Sequence, residues 1–265
     1  ALQDNTNPFG YKFSWSPVGV MLAVMNTGRY LKDGKIVEVS SKELFEQYWL
    51  VDIPGSATFE AYVNRDALPY KDLYGIPKVK TIYRGTLRNI SHCESWNYFK
   101  MLGLFNQDLK FDFDKVTPAR VMANLVKSDG KNLVKDLAGF LSIPEYAVAL
   151  KKLEWLGLFS DKKLSLGRAS VFDMFAHIMQ EKLVYKKGEV DLLVQHHEFI
   201  VNYDSGRKEK ITSTMIDTGI PGGDSAMART VSLPAAIATK MILEGKIKLT
   251  GVHIPVMPEI YEPVL

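Results

Sequence analysis

A chain of 265 residues, 46% apolar and 24% charged, is long enough to bury a sizeable core as one or two domains. Its 33 basic and 30 acidic residues leave a net charge of +3 with no basic stripe interleaved with aromatics, so nucleic acid is not an expected partner. No apolar run approaches the roughly 18 residues of a membrane span, and residues 1–8 do not read as a signal peptide. The single cysteine, Cys93, excludes an internal disulfide and a multi-cysteine zinc site, fits a reducing compartment, and suggests a cytoplasmic setting.

The first predicted element is a helix over residues 16–32. Ser16 can cap it, Pro17 suits its first position, Gly34 suits its stop, and Val18, Met21, Leu22 and Met25 recur at helical spacing. Lys35–Val39 reads as a short strand. In residues 59–64, Phe59, Ala61 and Val63 alternate with Glu60, Tyr62 and Asn64. In residues 78–84, Val79, Thr81 and Tyr83 alternate with Lys78, Lys80, Ile82 and Arg84. That period of two predicts two half-buried strands, each running into an arginine-bearing tip, at Arg65 and at residues 84–88.

From residue 92 to residue 183 the apolar period becomes helical. Thr117-Pro118 opens one helix and Pro144-Glu145 another, carrying Leu150, Leu153 and Trp155. A third bears Val171, Phe175 and Ile178 on one stripe. This stretch is expected to be a helical insertion in an α/β (α+β) domain. Strand character returns over residues 190–218, where Asp204-Ser205-Gly206-Arg207 predicts the turn of a long hairpin. One mixed sheet is expected from residues 35–90 and 190–218. A last helix is expected over residues 224–243, stopped by Gly245 and containing Pro234, which removes an amide donor.

The candidate chemistry lies at the arginine tips. Arginine presents a rigid fork of donors that fits a carboxylate bidentately. A sheet end with Arg65, Arg84 and Arg88 beside Thr86 can bind a ligand with several carboxylates; the same arginines can equally form surface salt bridges. Asp66 could hold Arg65, or pair with Arg84 to brace the site. His196 and His197 are adjacent in a strand and point to opposite faces, so they cannot chelate one metal together. Cys93 reads as packing. No metal site, P-loop or hydrolase triad is found, and Gly219-Ile220-Pro221-Gly222-Gly223 suits a loop rather than a phosphate cradle.

Five blocks occur in one order: residues 10–17 (GYKFSWSP), Asn64-Arg65-Asp66, residues 84–88 (RGTLR), Trp155-Leu156-Gly157-Leu158, and residues 225–231 (SAMARTV) with Pro255, Glu259, Ile260 and Tyr261. Together they resemble the glutamate-forming saccharopine dehydrogenases over nearly all of residues 7–265. The resemblance implies oxidation of the secondary amine of saccharopine by NADP or NAD, giving glutamate and aminoadipate semialdehyde. It implies substrate contacts at Arg65, Thr86, Leu87 and Arg88, a nucleotide contact at Ser16 beside its capping role, and a homodimer. Such enzymes begin with a dinucleotide-binding domain, yet no Gly-x-Gly-x-x-Gly follows a strand here, and the chain starts at Ala1. The expectation is a part of a longer enzyme. Residues 1–91 and 184–222 would form a mixed-sheet substrate-binding and dimerisation domain, and residues 92–183 the helical insertion. Residues 223–265 would return to complete the absent nucleotide domain, leaving Met227, Val231, Ile237 and Met241 partly exposed. No catalytic residue is assigned. The alternatives are a carboxynorspermidine dehydrogenase, a lysine 6-dehydrogenase, or a non-catalytic binding module.

Overall fold

The computed structural model describes residues 1–14 and 16–265. The first part of the chain holds α1 (Pro17–Leu22), β1 (Gly28–Lys32), β2 (Lys35–Val39), β3 (Tyr48–Asp52), β4 (Thr58–Val63), β5 (Arg65–Asp66), α2 (Tyr70–Leu73) and β6 (Gly85–Arg88). The middle holds α3 (His92–Met101), β7 (Lys110–Asp112), α4 (Pro118–Leu125), α5 (Leu133–Leu141), α6 (Val148–Leu156), β8 (Arg168–Ser170) and α7 (Val171–Lys182). The last part holds β9 (Leu192–Asn202), β10 (Lys208–Thr218), α8 (Ala226–Leu243) and α9 (Pro258–Val264). The α/β class and the helical character of residues 92–183 are as expected.

One helix starts late: Pro144-Glu145 lie in a turn closed by the Ala147 amide donating to the Pro144 carbonyl at 2.9 Å, and α6 begins only at Val148. Three further details differ from expectation. The helix expected over residues 16–32 stops early, because residues 28–32 form β1, antiparallel to β2 and parallel to β5 in a mixed sheet. Asn26, Thr27 and Gly28 are poor helix formers. Gly34, at φ +79°, makes the β1–β2 turn instead of a helix stop. The strand expected over residues 78–84 is also absent. Its residues bond singly to different partners: Ile82 pairs with Leu31 in an isolated bridge, the carbonyl of Lys80 accepts from Gly34, and that of Arg84 accepts from Asn64. The strand is instead the arginine tip itself, β6, which takes the free edge of β4 in the sheet β3-β4-β6. Third, β9 and β10 pair along their full length as predicted but form their own two-stranded sheet, so no single sheet joins residues 35–90 to 190–218.

The core explains why the helical region is more than an edge feature. One contiguous cluster of buried apolar residues runs from Phe9, Met21, Phe45 and Val63 into Trp96, Phe99, Leu150, Phe175 and Leu183. Phe99 meets Phe175 edge-on at 5.8 Å, and Trp96 stacks on Phe105 at 5.6 Å. Each such ring removed from water contributes roughly 1.5–3 kcal/mol. By contrast α8 buries only Ala226. Val231 and Ile237 are 54% and 40% exposed, and Met227 and Met241 are half-buried. Ser225 caps α8 by accepting from the Ala228 amide at 3.0 Å. No helix among the described residues is long and apolar enough to cross a membrane.

Gly28 shows how tightly β1 and β4 approach: a Cβ there would enter the van der Waals envelope of both Val63 methyl carbons. The expected outcome of Gly28→Ala is a loss of roughly 1–3 kcal/mol from overpacking, read by urea denaturation. Combining it with Val63→Ala should recover part of the midpoint shift relative to the sum of the two single effects.

Candidate functional site

β4 and β6 set the geometry. Their register pairs Glu60 with Arg88, Ala61 with Leu87, Tyr62 with Thr86 and Val63 with Gly85. Strand alternation therefore places Thr86 and Arg88 on one face, beside Tyr62 and Glu60, and turns the Leu87 side chain to the other. The Arg88 guanidinium lies 5.3 Å over the Tyr11 ring, and one of its nitrogens donates to the Leu87 carbonyl at 3.1 Å. Among the described residues no carboxylate forms an ion pair with it, so most of its fork is free. Burial pushes the Tyr11 and Tyr62 phenols up, and the Arg88 charge opposes that rise in both. The face thus offers a guanidinium, a threonine hydroxyl and two phenol groups.

Arg65 stands at the other end of this pair, just past the last residue of β4, exposed and in the left-handed region at φ +59°. Gly85, opposite the end of β4, is three residues from Arg88, about 10 Å along a strand. The backbones of the two arginines therefore stand at opposite ends of a stretch of sheet. Asp66 does not hold Arg65 and does not brace Arg84. It pairs with Arg29 at 3.3 Å, which also reaches Glu38 at 3.2 Å. Arg84 lies 5.9 Å over the Tyr70 ring.

Behind Arg88 lies a buried polar cluster that spacing alone did not single out. Glu60, 2% exposed, accepts from the Ser91 amide at 2.6 Å and the Cys93 amide at 2.7 Å, capping α3 from a neighbouring strand. Lys152, on α6 and 1% exposed, donates to the Ser91 carbonyl at 2.8 Å, the Ser91 hydroxyl at 2.9 Å and the Ser95 hydroxyl at 3.0 Å. Burial pulls its ammonium down to about 8, against the opposing charge of Glu60. His92 is buried, stacked between Tyr62 and Trp96, and held well below its ordinary range by desolvation, then by Arg88 and Lys152. The sequence signals were faint but present. Glu60 is the only charge in β4, and Lys152 falls on the stripe of Ala149, Leu153 and Leu156.

Ser16 accepts from the Gly19 amide at 3.3 Å and so caps α1; its neighbour Trp15, in the first block, lies outside the described residues. Cys93 is fully buried, as packing requires, and its thiol is pushed up by burial. His196 bonds Thr214 while His197 stacks on Phe199, on opposite sides of β9. No cluster of metal-ligating side chains occurs among the described residues. The glycine loop at 219–223 borders a cleft of about 260 Å³ with Ser14, Tyr185 and Ser225. The amides of Ala226 and Met227 at the head of α8 already donate to the Asp191 carboxylate at 2.8 and 2.9 Å. A negative charge seated there disfavours a phosphate.

The geometry is that of a mixed α/β chain whose sheet face carries Arg88, Thr86 and Tyr62 beside Tyr11. The model of the saccharopine dehydrogenase C-terminal domain matches residues 1–265, and the chain belongs to that family. It is 38% identical over 275 residues to the NADP(+), L-glutamate-forming saccharopine dehydrogenase of Saccharomyces cerevisiae, spanning 100% of this chain and 61% of that enzyme. It is 37% identical to the mitochondrial alpha-aminoadipic semialdehyde synthase of Bos taurus, spanning 98% of this chain and 29% of that protein. The solved apo structure of the L-Glu-forming saccharopine dehydrogenase from Saccharomyces cerevisiae superposes with a TM-score of 0.90 at 37% identity, over 100% of this chain and 61% of that one. The chain thus spans about three-fifths of the yeast relative.

His92 generates a pH prediction. The unfolded chain protonates this histidine below about pH 6.5, whereas the fold keeps it neutral well below that. The unfolded state then binds more protons, so stability falls as pH falls, by roughly 1.4 kcal/mol per unit below that point. Urea midpoints at pH 7.5 and 5.5 for the parent and His92→Gln check it: the parent should lose more stability than the variant over this interval.

Proposed function

We propose that this chain is the substrate-side part of a saccharopine dehydrogenase, an oxidoreductase that acts on a CH–NH bond with NADP or NAD. Saccharopine carries three carboxylates and a secondary amine. A bound nicotinamide would supply the oxidising power, as acceptor of hydride from the carbon beside that amine. The resulting imine takes up water and separates into glutamate and aminoadipate semialdehyde. The observation that carries the reading is Arg88, half-buried on Tyr11, beside Thr86 and, among the described residues, with no acid paired to it. Family membership and the activity of the yeast relative support it.

In this reading Arg88 and Thr86 hold one carboxylate and Arg65 another, farther along the sheet. The main chain at Leu87 would line the gap between them. The side chains here bind and orient; the nicotinamide supplies the redox chemistry. The nucleotide is held mainly by a domain outside residues 1–265, with Ser16 at its edge. Residues 1–91 and 184–222 serve as the substrate-binding and dimerisation domain and residues 92–183 as its helical part. Residues 223–265 return to the nucleotide domain. The apolar exposure of Val231 and Ile237 supports that last assignment. A homodimer and a cytoplasmic setting complete the reading, the latter resting on one buried thiol.

Steady-state kinetics on the full-length enzyme test it. Arg65→Ala and Arg88→Ala should each raise KM for saccharopine roughly 10- to 150-fold, the equivalent of a charge-assisted hydrogen bond of roughly 1.5–3 kcal/mol. Lysine at either position should rescue part of the loss, since it keeps the charge without the fork. KM for the nucleotide should barely move. Arg207→Ala, at the exposed turn between β9 and β10, is the matched control. Unchanged saccharopine kinetics in both arginine variants would sink the assignment.

A further inference from the structure

The corner between β6 and α3 is unusually constrained for three residues. Ser91 adopts a left-handed backbone at φ +71°, a conformation that a non-glycine residue keeps only where its surroundings hold it. Every polar group of Ser91 is engaged. Its amide donates to Glu60, its carbonyl accepts from Lys152 and from the Ser95 hydroxyl at 2.6 Å, and its own hydroxyl accepts from Lys152. Glu60 comes from β4, Ser95 from α3 and Lys152 from α6. Three elements thus meet on one residue, three positions after Arg88. Asn89 adds a fourth tie, donating to the Gly10 carbonyl at 2.5 Å.

The same cluster holds the acid that stands opposite Arg88, which among the described residues has no ion-pair partner. Glu60 is its direct partner across the β4–β6 ladder, on the same face, and is the nearest acid by register. Both Glu60 oxygens are committed to backbone amides at the head of α3, where the helix dipole also favours them. Lys152 donates to three acceptors on Ser91 and Ser95, and its charge is offset by that of Glu60.

We propose that Glu60 and Lys152 are positioning residues for Arg88. They clamp Ser91, fix the end of β6, and keep the Glu60 carboxylate turned away, so that the Arg88 fork stays open to a ligand carboxylate. The proposal rests on the reading of Arg88 as a carboxylate-binding residue. Neither side chain touches the ligand; both act through the strand that carries Arg88.

The test is kinetic, on the full-length enzyme. Lys152→Met keeps the length of the side chain and removes its donors. It should raise KM for saccharopine by about tenfold or more, the scale of a misplaced binding group, and leave KM for the nucleotide little changed. In an Arg88→Ala background the same substitution should add no more than about twofold, because the group it positions is gone. Ser95→Ala removes one acceptor from the cluster, is the gentler variant should Lys152→Met fail to fold, and should shift the same constant in the same direction. A rise in saccharopine KM with Arg88→Ala, but none with Lys152→Met or Ser95→Ala, overturns the positioning role alone. So does a Lys152→Met effect of equal size in both backgrounds. If Arg88→Ala itself leaves saccharopine KM unchanged, the carboxylate reading falls and this proposal with it.

Discussion

A carboxylate buried at the head of a helix organises this part of the molecule. Removing a charged group from water is costly unless its lone pairs are satisfied. Glu60 meets that condition with two backbone amides of the Ser91–Cys93 turn, at 2.6 and 2.7 Å, and α3 gains a cap that its own N-terminal residue does not provide. The bond works only if β4 lies across the start of α3, so it sets the angle between sheet and helices. Because β6 is laddered to β4, the face bearing Thr86 and Arg88 is turned toward Tyr11 by the same contact. Lys152 enters from α6 to complete the cluster, and its lowered ammonium reflects how little water reaches it.

Around this anchor the molecule divides by burial. Residues 92–183 carry the dense aromatic packing of Trp96, Phe99, Phe105 and Phe175. The hairpin and α8 are attached by polar contacts more than by core. Asp191 caps α8 from just before β9, and Arg229 pairs with Asp217 of β10 at 2.6 Å. An isolated two-stranded ribbon is marginal in water, and this one exposes Phe199, Ile200 and Ile211, while α8 exposes Val231 and Leu233. These elements present far more apolar surface than the middle of the chain.

Much of the local structure was legible from residue pattern. The strand at Lys35–Val39, the strand near residues 59–64, the helices opened by Thr117-Pro118 and carrying Val171 and Phe175, the hairpin turn and the capped last helix all stand where period, proline and glycine put them. The misplaced elements share a cause. Residues 28–32 fall inside the span read as helix yet become β1, because only glycine at position 28 fits against Val63 and the strand gains two neighbours. Residues 78–84 alternate correctly yet make no ladder, because the edge of β4 is already filled by residues 85–88. Strand propensity reports a fit to a half-buried surface, and which segment wins that surface is decided by the rest of the fold.

The site divides the same way. From the chain alone came the arginine-bearing segments, the threonine between them, the absence of a glycine-rich phosphate turn, and five ordered blocks that carried the family resemblance. These follow from residue type and order, which need no folding to be read. Tertiary structure decided which groups share a face. It set Asp66 against Arg29, left Arg65 exposed, placed Arg88 over Tyr11, and buried Glu60 and Lys152 behind it. Those contacts join residues 28 to 77 positions apart, and a charge's partner at such separations is fixed only when packing brings the strands and helices together.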